Sequence, residues 1–496
     1  MSVTSFDPRT GAVIATVADT SADELQAVLA AASAAAPQLV ATSPAERRTW
    51  LHAVADALEL HRDDLARLAD QETALGLERL TGEVTRAAGQ LRFYGDVAAE
   101  GSYLEVTVDE PTATTPRLIR TNRPLGPVAV FGASNFPFAF SVLGNDTAMA
   151  LATGCPVVAK AHPAHAGLSM RQAEIAREAL AGAGAPRGTF AAVSGHQVGV
   201  DLVKAQEIAA VGFTGSQAGG LALWRIANER EVVIPVYAEM GTVNPVVVTR
   251  AGAADIDAVA KGLVGSFTLG SGQFCTKPGL LLAPKDSGAA QAVAAALRGA
   301  EPAPVMLTEA IAQGIPTGIR EMIAAGAELI AEVAPAEGAT GWAAPAAVLA
   351  APADDLTPGS RLLEETFGAV VLVTEYDDDR ALADAVRRLQ CSLAASVFTG
   401  GADDVQAPGV VALLSGKVGR VAVDEWPTGV AFTWAQQHGG PWPATSAPAA
   451  TSVGAYGLAR FVRPVAYQSA HDAWLPPEAQ AANPWGLPRR VNGVRG

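Results

Sequence analysis

The sequence predicts an α/β protein built on a doubly wound parallel sheet. Three observations carry this reading. Short apolar runs recur at 127–132 (PVAVFG), 155–161 (CPVVAKA), 189–195 (TFAAVSG), 208–215 (IAAVGFTG) and 232–241 (VVIPVYAEMG). Each suits a fully buried strand better than a helix. Helix-length segments separate them, the first from about Phe140 to Ala152 and the second from about Leu168 to Ala181. Continuous apolar strands alternating with helices belong to parallel sheets covered on both faces. Finally, 49% of the 496 residues are hydrophobic, enough for more than one core.

Taken in order, the chain begins with helices. Ser21 with Glu24, and Ser43 with Glu46, are capping boxes, the second with Pro44 at the first helical position. Leu51, Val54, Ala55 and Leu58 then follow helical spacing, so the first hundred residues read as mostly helical. The segment 103–126 alternates Leu104, Val106 and Val108, turns through Thr and Pro, and resumes at Leu118 and Ile119. That is a β-hairpin, and its open edges predict pairing with another subunit. NPVVVT at 244–249 opens a second α/β region. Residues 283–356, rich in alanine and proline, carry little local signal, but RLLEETFGAVVLVTEY (361–376) ends in a buried strand. Residues 470–496 read as an extended tail lying on a surface.

The formal net charge of −15 argues against nucleic acid and anionic membrane as partners. Cys155, Cys275 and Cys391 are odd in number and far apart, which implies neither a disulfide framework nor a CxxC metal site. His162 and His165 are spaced like a ligand pair but lack a third ligand, so no metal is expected. MSVTSFDPRTG has no apolar signal core, and no run of about 18 apolar residues follows. The expectation is a cytoplasmic protein.

Chemistry concentrates in the loops. Asn135 lies in FGASNFPFAF, Lys160 in VVAKAHPAH, Gly215 and Ser216 in GFTGSQAGG, Glu239 in YAEMGTVNP, Cys275 in LGSGQFCTKPG, and Glu365 and Phe367 in LEETFG. Each has a plain structural reading. A lone cysteine is usually a small hydrophobe; Asn135 before Phe-Pro is a turn former; Lys160 could extend from a strand end. Glu239 could cap a turn, and GFTGSQAGG is not the GxGxxG fingerprint. A cysteine hydrolase would need a histidine beside Cys275, and the sequence leaves the place of His438 open. Together, though, a thiol, a carboxylate, an amide, a lysine and a small-residue turn suit acyl chemistry with a dinucleotide.

In this combination and order, SNFPF, GFTGS, AEMGTVNP, GQFCTKPG and EETFG resemble the aldehyde dehydrogenase superfamily, and the resemblance runs from about residue 6 to about 468. FPFAFSVLGNDTAMALATGCPVVAKAHPAH and WPTGVAFTWAQQHGGPWPATSAPAATSVG are most similar to its α-ketoglutaric semialdehyde (2,5-dioxopentanoate) dehydrogenases. The resemblance implies a Rossmann-like cofactor domain (1–102 and 127–241), an α/β catalytic domain (242–445), and oligomerisation segments (103–126 and 446–496). It also implies a homodimer or homotetramer.

The implied reaction is NAD(P)-dependent oxidation of an aldehyde to an acid. In it Cys275 is the nucleophile, the Asn135 amide and the Cys275 N–H hold the oxyanion, and Glu239 activates water. Lys160 and Glu365 contact ribose hydroxyls, Phe367 packs near the nicotinamide, and Gly215 and Ser216 meet the pyrophosphate. Pro163 stands where many NAD-preferring relatives carry a glutamate, and His162, His165 and Arg171 are near, so NADP is expected with NAD also usable. The expected substrate is 2-oxoglutarate semialdehyde, its carboxylate met by Thr445, Ser446 or Lys277. A fatty or succinate-type aldehyde, or an idle dehydrogenase fold, stands as the alternative. AEMGT, and DEW in RVAVDEWPTG, depart from the commoner motifs near the presumed substrate tunnel.

Overall fold

A computed structural model describes residues 1–495. Both capping boxes form as expected. Ser21 opens the helix Ala22–Ala41 and Ser43 opens Pro44–Leu60, each with reciprocal side-chain and backbone bonds. Helices Arg62–Thr73 and Leu77–Glu100 complete the bundle. An antiparallel hairpin, Ser2–Phe6 with Val13–Ala18, precedes it. The helical reading of the first hundred residues did not include this hairpin.

The first large sheet is all parallel, in the order Phe190–Val193, Val157–Lys160, Val128–Phe131, Ala210–Gly215, Val236–Met240. The chain enters at the centre, moves to one side, then returns to the other. Such a reversal opens a crevice at the carboxyl ends of the strands. Strands such as Val128–Phe131 are buried at every position, which accounts for their unbroken apolar sequence. Leu51, Leu58, Leu91 and Phe138 help fill the core beneath them; fully burying each such side chain contributes roughly 1.5–3 kcal/mol.

The expected helix from Phe140 is shorter, beginning only at Asn145 and ending at Thr153. Residues 133–144 fold back on themselves instead. Ala133 N–H donates to Phe140 O at 2.8 Å. The Glu83 carboxylate accepts from the Phe138 and Ala139 N–H groups at 2.9 and 3.1 Å. Those two backbone donors are thereby engaged by a side chain from another helix.

The second sheet has seven strands: Glu328–Val333, Ala346–Ala350, Val370–Tyr376, Leu280–Pro284, Pro245–Val248, Ser392–Phe398 and Val418–Val423. Only Glu328–Val333 runs antiparallel to its neighbour. The alanine- and proline-rich stretch thus supplies two strands, and also the helices Ala289–Ala300 and Glu309–Ala324. The expected hairpin is Thr107–Asp109 with Leu118–Pro124. Val462–Gln468 pairs with one of its edges and Arg490–Val491 with the other, so the chain's own tail covers the hairpin. Among the described residues no helix is long and apolar enough to cross a membrane.

Candidate active site

Two sheets meet at the site from opposite ends. Lys160, Gly215 and Glu239 lie at the carboxyl ends of first-sheet strands, and Asn135 follows Val128–Phe131. Cys275 and Glu365 instead precede the second-sheet strands Leu280–Pro284 and Val370–Tyr376. They therefore approach from amino ends, not from the carboxyl ends that a single doubly wound sheet would use.

The glycines before Cys275 have a geometric cause. Gly270, Ser271 and Gly272 have φ of 57°, 62° and 73°. That left-handed run is inexpensive for glycine and strained for serine. A Cβ on Gly272 would collide with the backbone of Gly368 and Ala369, on the loop that follows Glu365 and Phe367. The turn thus presses the Cys275 loop against the Glu365 loop. Asn244 secures it from below, its Nδ2 donating to Cys275 O at 2.7 Å.

Cys275 is only partly buried as a residue, but its sulfur faces a closed environment. Burial pushes the thiol well up from its ordinary range, and the charges of Glu239 and Glu365 push the same way; the backbone N–H groups of Thr276 and Cys275 oppose them. One neighbour was not assigned from sequence. His438, fully buried, places Nε2 3.7 Å from Cys275 Sγ. The same Nε2 lies 3.0 Å from Glu239 Oε1. That is an ion-pair distance without hydrogen-bond alignment, because Oε1 has no donor in line. The ligand atoms of Cys275, His438 and Glu239 all fall within 4.8 Å of one another. Glu239 is held from the other side by the Ser452 hydroxyl, which donates to Oε2.

Asn135 is 8% exposed, and its Nδ2 donates to Gln273 O at 2.8 Å, two residues before the cysteine. An amide nitrogen carries two hydrogens, so a second donor remains. Arg79 supports it by donating to Asn135 O at 2.6 Å.

Of the remaining predicted residues, Lys160 and Gly215 end strands of the first sheet, and the Glu365 carboxylate lies against Gly241, just past its strand Val236–Met240. Gly215 and Ser216 open the helix Gln217–Asn228, and the Ser216 hydroxyl caps it by accepting from Gly219 N–H. Lys160 is partly buried, which pulls its pKa down while Asp19 opposes. Glu365 has a buried Oε1 without a partner; burial pushes this carboxyl up and Lys277 opposes. Phe367 is half-buried two residues on. A helix N-terminus, an orphaned carboxylate oxygen and a lysine along one crevice fit a dinucleotide's pyrophosphate and ribose hydroxyls.

Several other residues singled out from the sequence have partners of their own. His165 is buried and engaged with Ser169 Oγ and Ala133 O. Burial, His165 and Lys160 hold His162 well below the ordinary range, so it is neutral. Arg171 is paired with Glu174. Of the three, only Arg171 keeps its side chain open to solvent, 44% exposed beside Glu174. Lys277 Nζ donates to Thr366 O and Val370 O at 3.1 and 2.8 Å. The Ser446 hydroxyl accepts from Ala238 N–H and donates to Val236 O. Thr445 bridges backbone to backbone with Glu239. These three brace the scaffold. The DEW departure is likewise structural: Asp424 accepts from Thr399 and Trp426 packs on Phe398 at 4.3 Å.

Comparison with known proteins agrees with this geometry. The sequence pattern of the aldehyde dehydrogenase family matches residues 1–441. The chain is 42% identical over 462 residues to Alpha-ketoglutaric semialdehyde dehydrogenase 2 of Azospirillum brasilense, covering 90% of this chain and 87% of that one. It is 38% identical over 491 residues to Alpha-ketoglutaric semialdehyde dehydrogenase of Acinetobacter baylyi, covering 95% and 91%. PnpE from Pseudomonas sp. WBC-3 superposes with a TM-score of 0.80 at 22% identity over 95% of each chain, and a structure of PnpE in complex with nicotinamide adenine dinucleotide superposes with 0.81. The chain belongs to the aldehyde dehydrogenase family, whose members use NAD(P).

Proposed function

We propose that this enzyme oxidises 2-oxoglutarate semialdehyde to 2-oxoglutarate. The convergence of Cys275 Sγ, His438 Nε2 and Glu239 within 4.8 Å, beside Asn135, carries the chemistry. The substrate rests on the two relatives named for it and on their high coverage.

Cys275 Sγ adds to the aldehyde carbon while its proton leaves for the His438–Glu239 pair, whose nearest acceptor is Nε2 at 3.7 Å. Proton loss to that pair offsets a burial that otherwise keeps sulfur protonated. The aldehyde oxygen becomes an oxyanion, held by the free Asn135 N–H and the Cys275 backbone N–H. A nicotinamide dinucleotide, when bound, supplies the hydride acceptor. Lys160, Glu365, Phe367, Gly215 and Ser216 would hold it. The acyl group left on sulfur is a thioester. Glu239 takes a proton from a water that adds to the thioester carbon, and the acid leaves as the Cys275 thiol re-forms.

Both dinucleotides serve on this reading, NADP included. Pro163 removes one carboxylate from the ribose region, yet Asp19, whose charge Lys160 feels, has a buried Oδ1 without a partner. The oligomerisation segments make the enzyme a homodimer or homotetramer, and its compartment is the cytoplasm.

Steady-state kinetics over a panel of aldehydes with NAD and NADP tests the reading. The highest kcat/KM is expected for 2-oxoglutarate semialdehyde. A tenfold preference for succinate semialdehyde or a long-chain aldehyde would overturn the substrate.

A further inference from the structure

We propose that Arg86 binds the distal carboxylate of the substrate and makes the cavity at Cys275 selective for anionic aldehydes. The inference rests on the aldehyde-oxidising reading of Cys275 and adds a residue that the sequence motifs do not assign.

Cys275 opens onto a cavity walled by Phe136, Phe140, Phe274 and Val430, with Arg86 as its charged member. The free space there is small, about 10 Å³, so a substrate reaching Cys275 lies directly against these walls. Three of the walls are aromatic, and a charge pair formed against them is screened less than one in solvent.

Arg86 stands on the helix Leu77–Glu100, three residues past Glu83 and seven past Arg79, so all three share a face. Its Nη2 donates to Val430 O at 2.7 Å. Its Nε is buried and has no acceptor. Among the described residues no carboxylate comes within 4.0 Å of it. Glu83 is occupied by two backbone N–H groups. Burial pulls the Arg86 pKa down, and the charges of Glu83 and then Cys275 oppose. It is therefore a desolvated guanidinium, incompletely bonded, beside the reacting sulfur. An incoming carboxylate would supply the missing acceptors, and a 2-oxo acid presents a planar edge of the kind that a guanidinium fork matches.

Arg79 Nη1 and Arg420 Nε are also buried without an acceptor, but neither residue lines this cavity, and their remaining bonds hold them to the scaffold. Arg79 lies between the Phe136 and Phe274 rings at 5.1 and 5.0 Å and donates to Asn135 O. Arg420 donates to Gly429 O and Pro427 O at 3.0 and 2.5 Å. Lys277 is bonded to two carbonyls on the Glu365 side. Arg86 is the cation left facing the cavity.

The test compares kcat/KM for 2-oxoglutarate semialdehyde with that for pentanal, which has five carbons and no carboxylate. Arg86→Gln should lower the ratio of the two about 100-fold, chiefly through KM for the charged substrate. Arg86→Lys should recover part of it, as a point charge without the fork. In parallel, calorimetry reads 2-oxoglutarate binding to the enzyme, and Arg86→Gln should weaken it by a similar factor. A ratio within threefold of the parent's, with unchanged 2-oxoglutarate affinity, overturns the proposal while leaving aldehyde oxidation intact. Should the parent oxidise no aldehyde yet bind 2-oxoglutarate through Arg86, the reaction falls and the subsite stands. If Arg86→Gln does not fold, the Arg86→Lys ratio decides: no change from the parent refutes the fork.

Discussion

Replacing His438 by phenylalanine keeps a buried ring and removes the nitrogen 3.7 Å from Cys275 Sγ. The thiol is pushed up by burial, with Glu239 and Glu365 adding, so the neutral form dominates at pH 7. A positioned base contributes about 100- to 10,000-fold, or about 2.7–5.4 kcal/mol at 1.36 kcal/mol per decade. Glu239 remains in the variant, so the lower part of that range is expected: kcat/KM down about 100- to 1,000-fold at pH 7. The pH dependence should change too. A raised thiol pKa means that thiolate is scarce below it and gains tenfold per pH unit. Without His438, activity should follow that fraction and climb steadily from pH 7 to 9, whereas the parent enzyme should respond less steeply. The assay is initial-rate dinucleotide reduction at saturating cofactor, with the thermal midpoint as a check on folding. A folded variant within threefold of the parent at pH 7, with the same pH profile, would refute the argument.

Cys275→Ala should abolish oxidation while dinucleotide affinity, read by fluorescence titration, stays within about twofold of the parent; dehydrogenase turnover in that variant would remove the nucleophile from position 275. Glu239→Gln should let the acyl-sulfur adduct build up on Cys275, visible by intact-mass spectrometry. Stalled turnover with no adduct would count against the base. Light scattering should report a dimer or tetramer at micromolar concentration, and a monomer well above assay levels would contradict the oligomerisation role given to segments 103–126 and 446–496, whose sheet leaves Val462–Gln468 at one edge.

Local rules made much of the architecture legible. Capping boxes at Ser21 and Ser43 and fully apolar strands such as Val128–Phe131 depend on neighbours a few residues away. The alanine-rich helices Ala289–Ala300 and Glu309–Ala324 were not legible, because alanine suits any packed face and Pro316 sits inside the second helix. The helix expected at Phe140 failed for a long-range reason: Glu83, 55 residues earlier, takes the Phe138 N–H. The site divides in the same way. Asn135, Glu239, Cys275 and Glu365 announce themselves within short motifs. His438 reaches Cys275 across 163 residues, from a stretch without regular structure between Val423 and Ala455. Arg86 sits in mid-helix, where sequence gives an arginine no reason to face inward.

These two residues and the burial of the sulfur bear on one another. A cavity walled by Phe136, Phe140 and Phe274 strengthens whatever charge contacts form in it, including an oxyanion at Asn135 and a carboxylate at Arg86. The same exclusion of water disfavours a thiolate. A site that relied on spontaneous ionisation would lose in nucleophile what it gained in transition-state stabilisation. On the proposed mechanism the buried His438–Glu239 pair breaks that opposition, because the thiol proton has an acceptor inside the cavity and no net charge need enter from solvent. An anionic substrate sharpens the point. Its carboxylate would further disfavour a preformed thiolate, so Arg86 must neutralise that carboxylate and His438 must receive the proton as addition proceeds. Anion selectivity and delayed ionisation of the sulfur are then consequences of the same dry cavity.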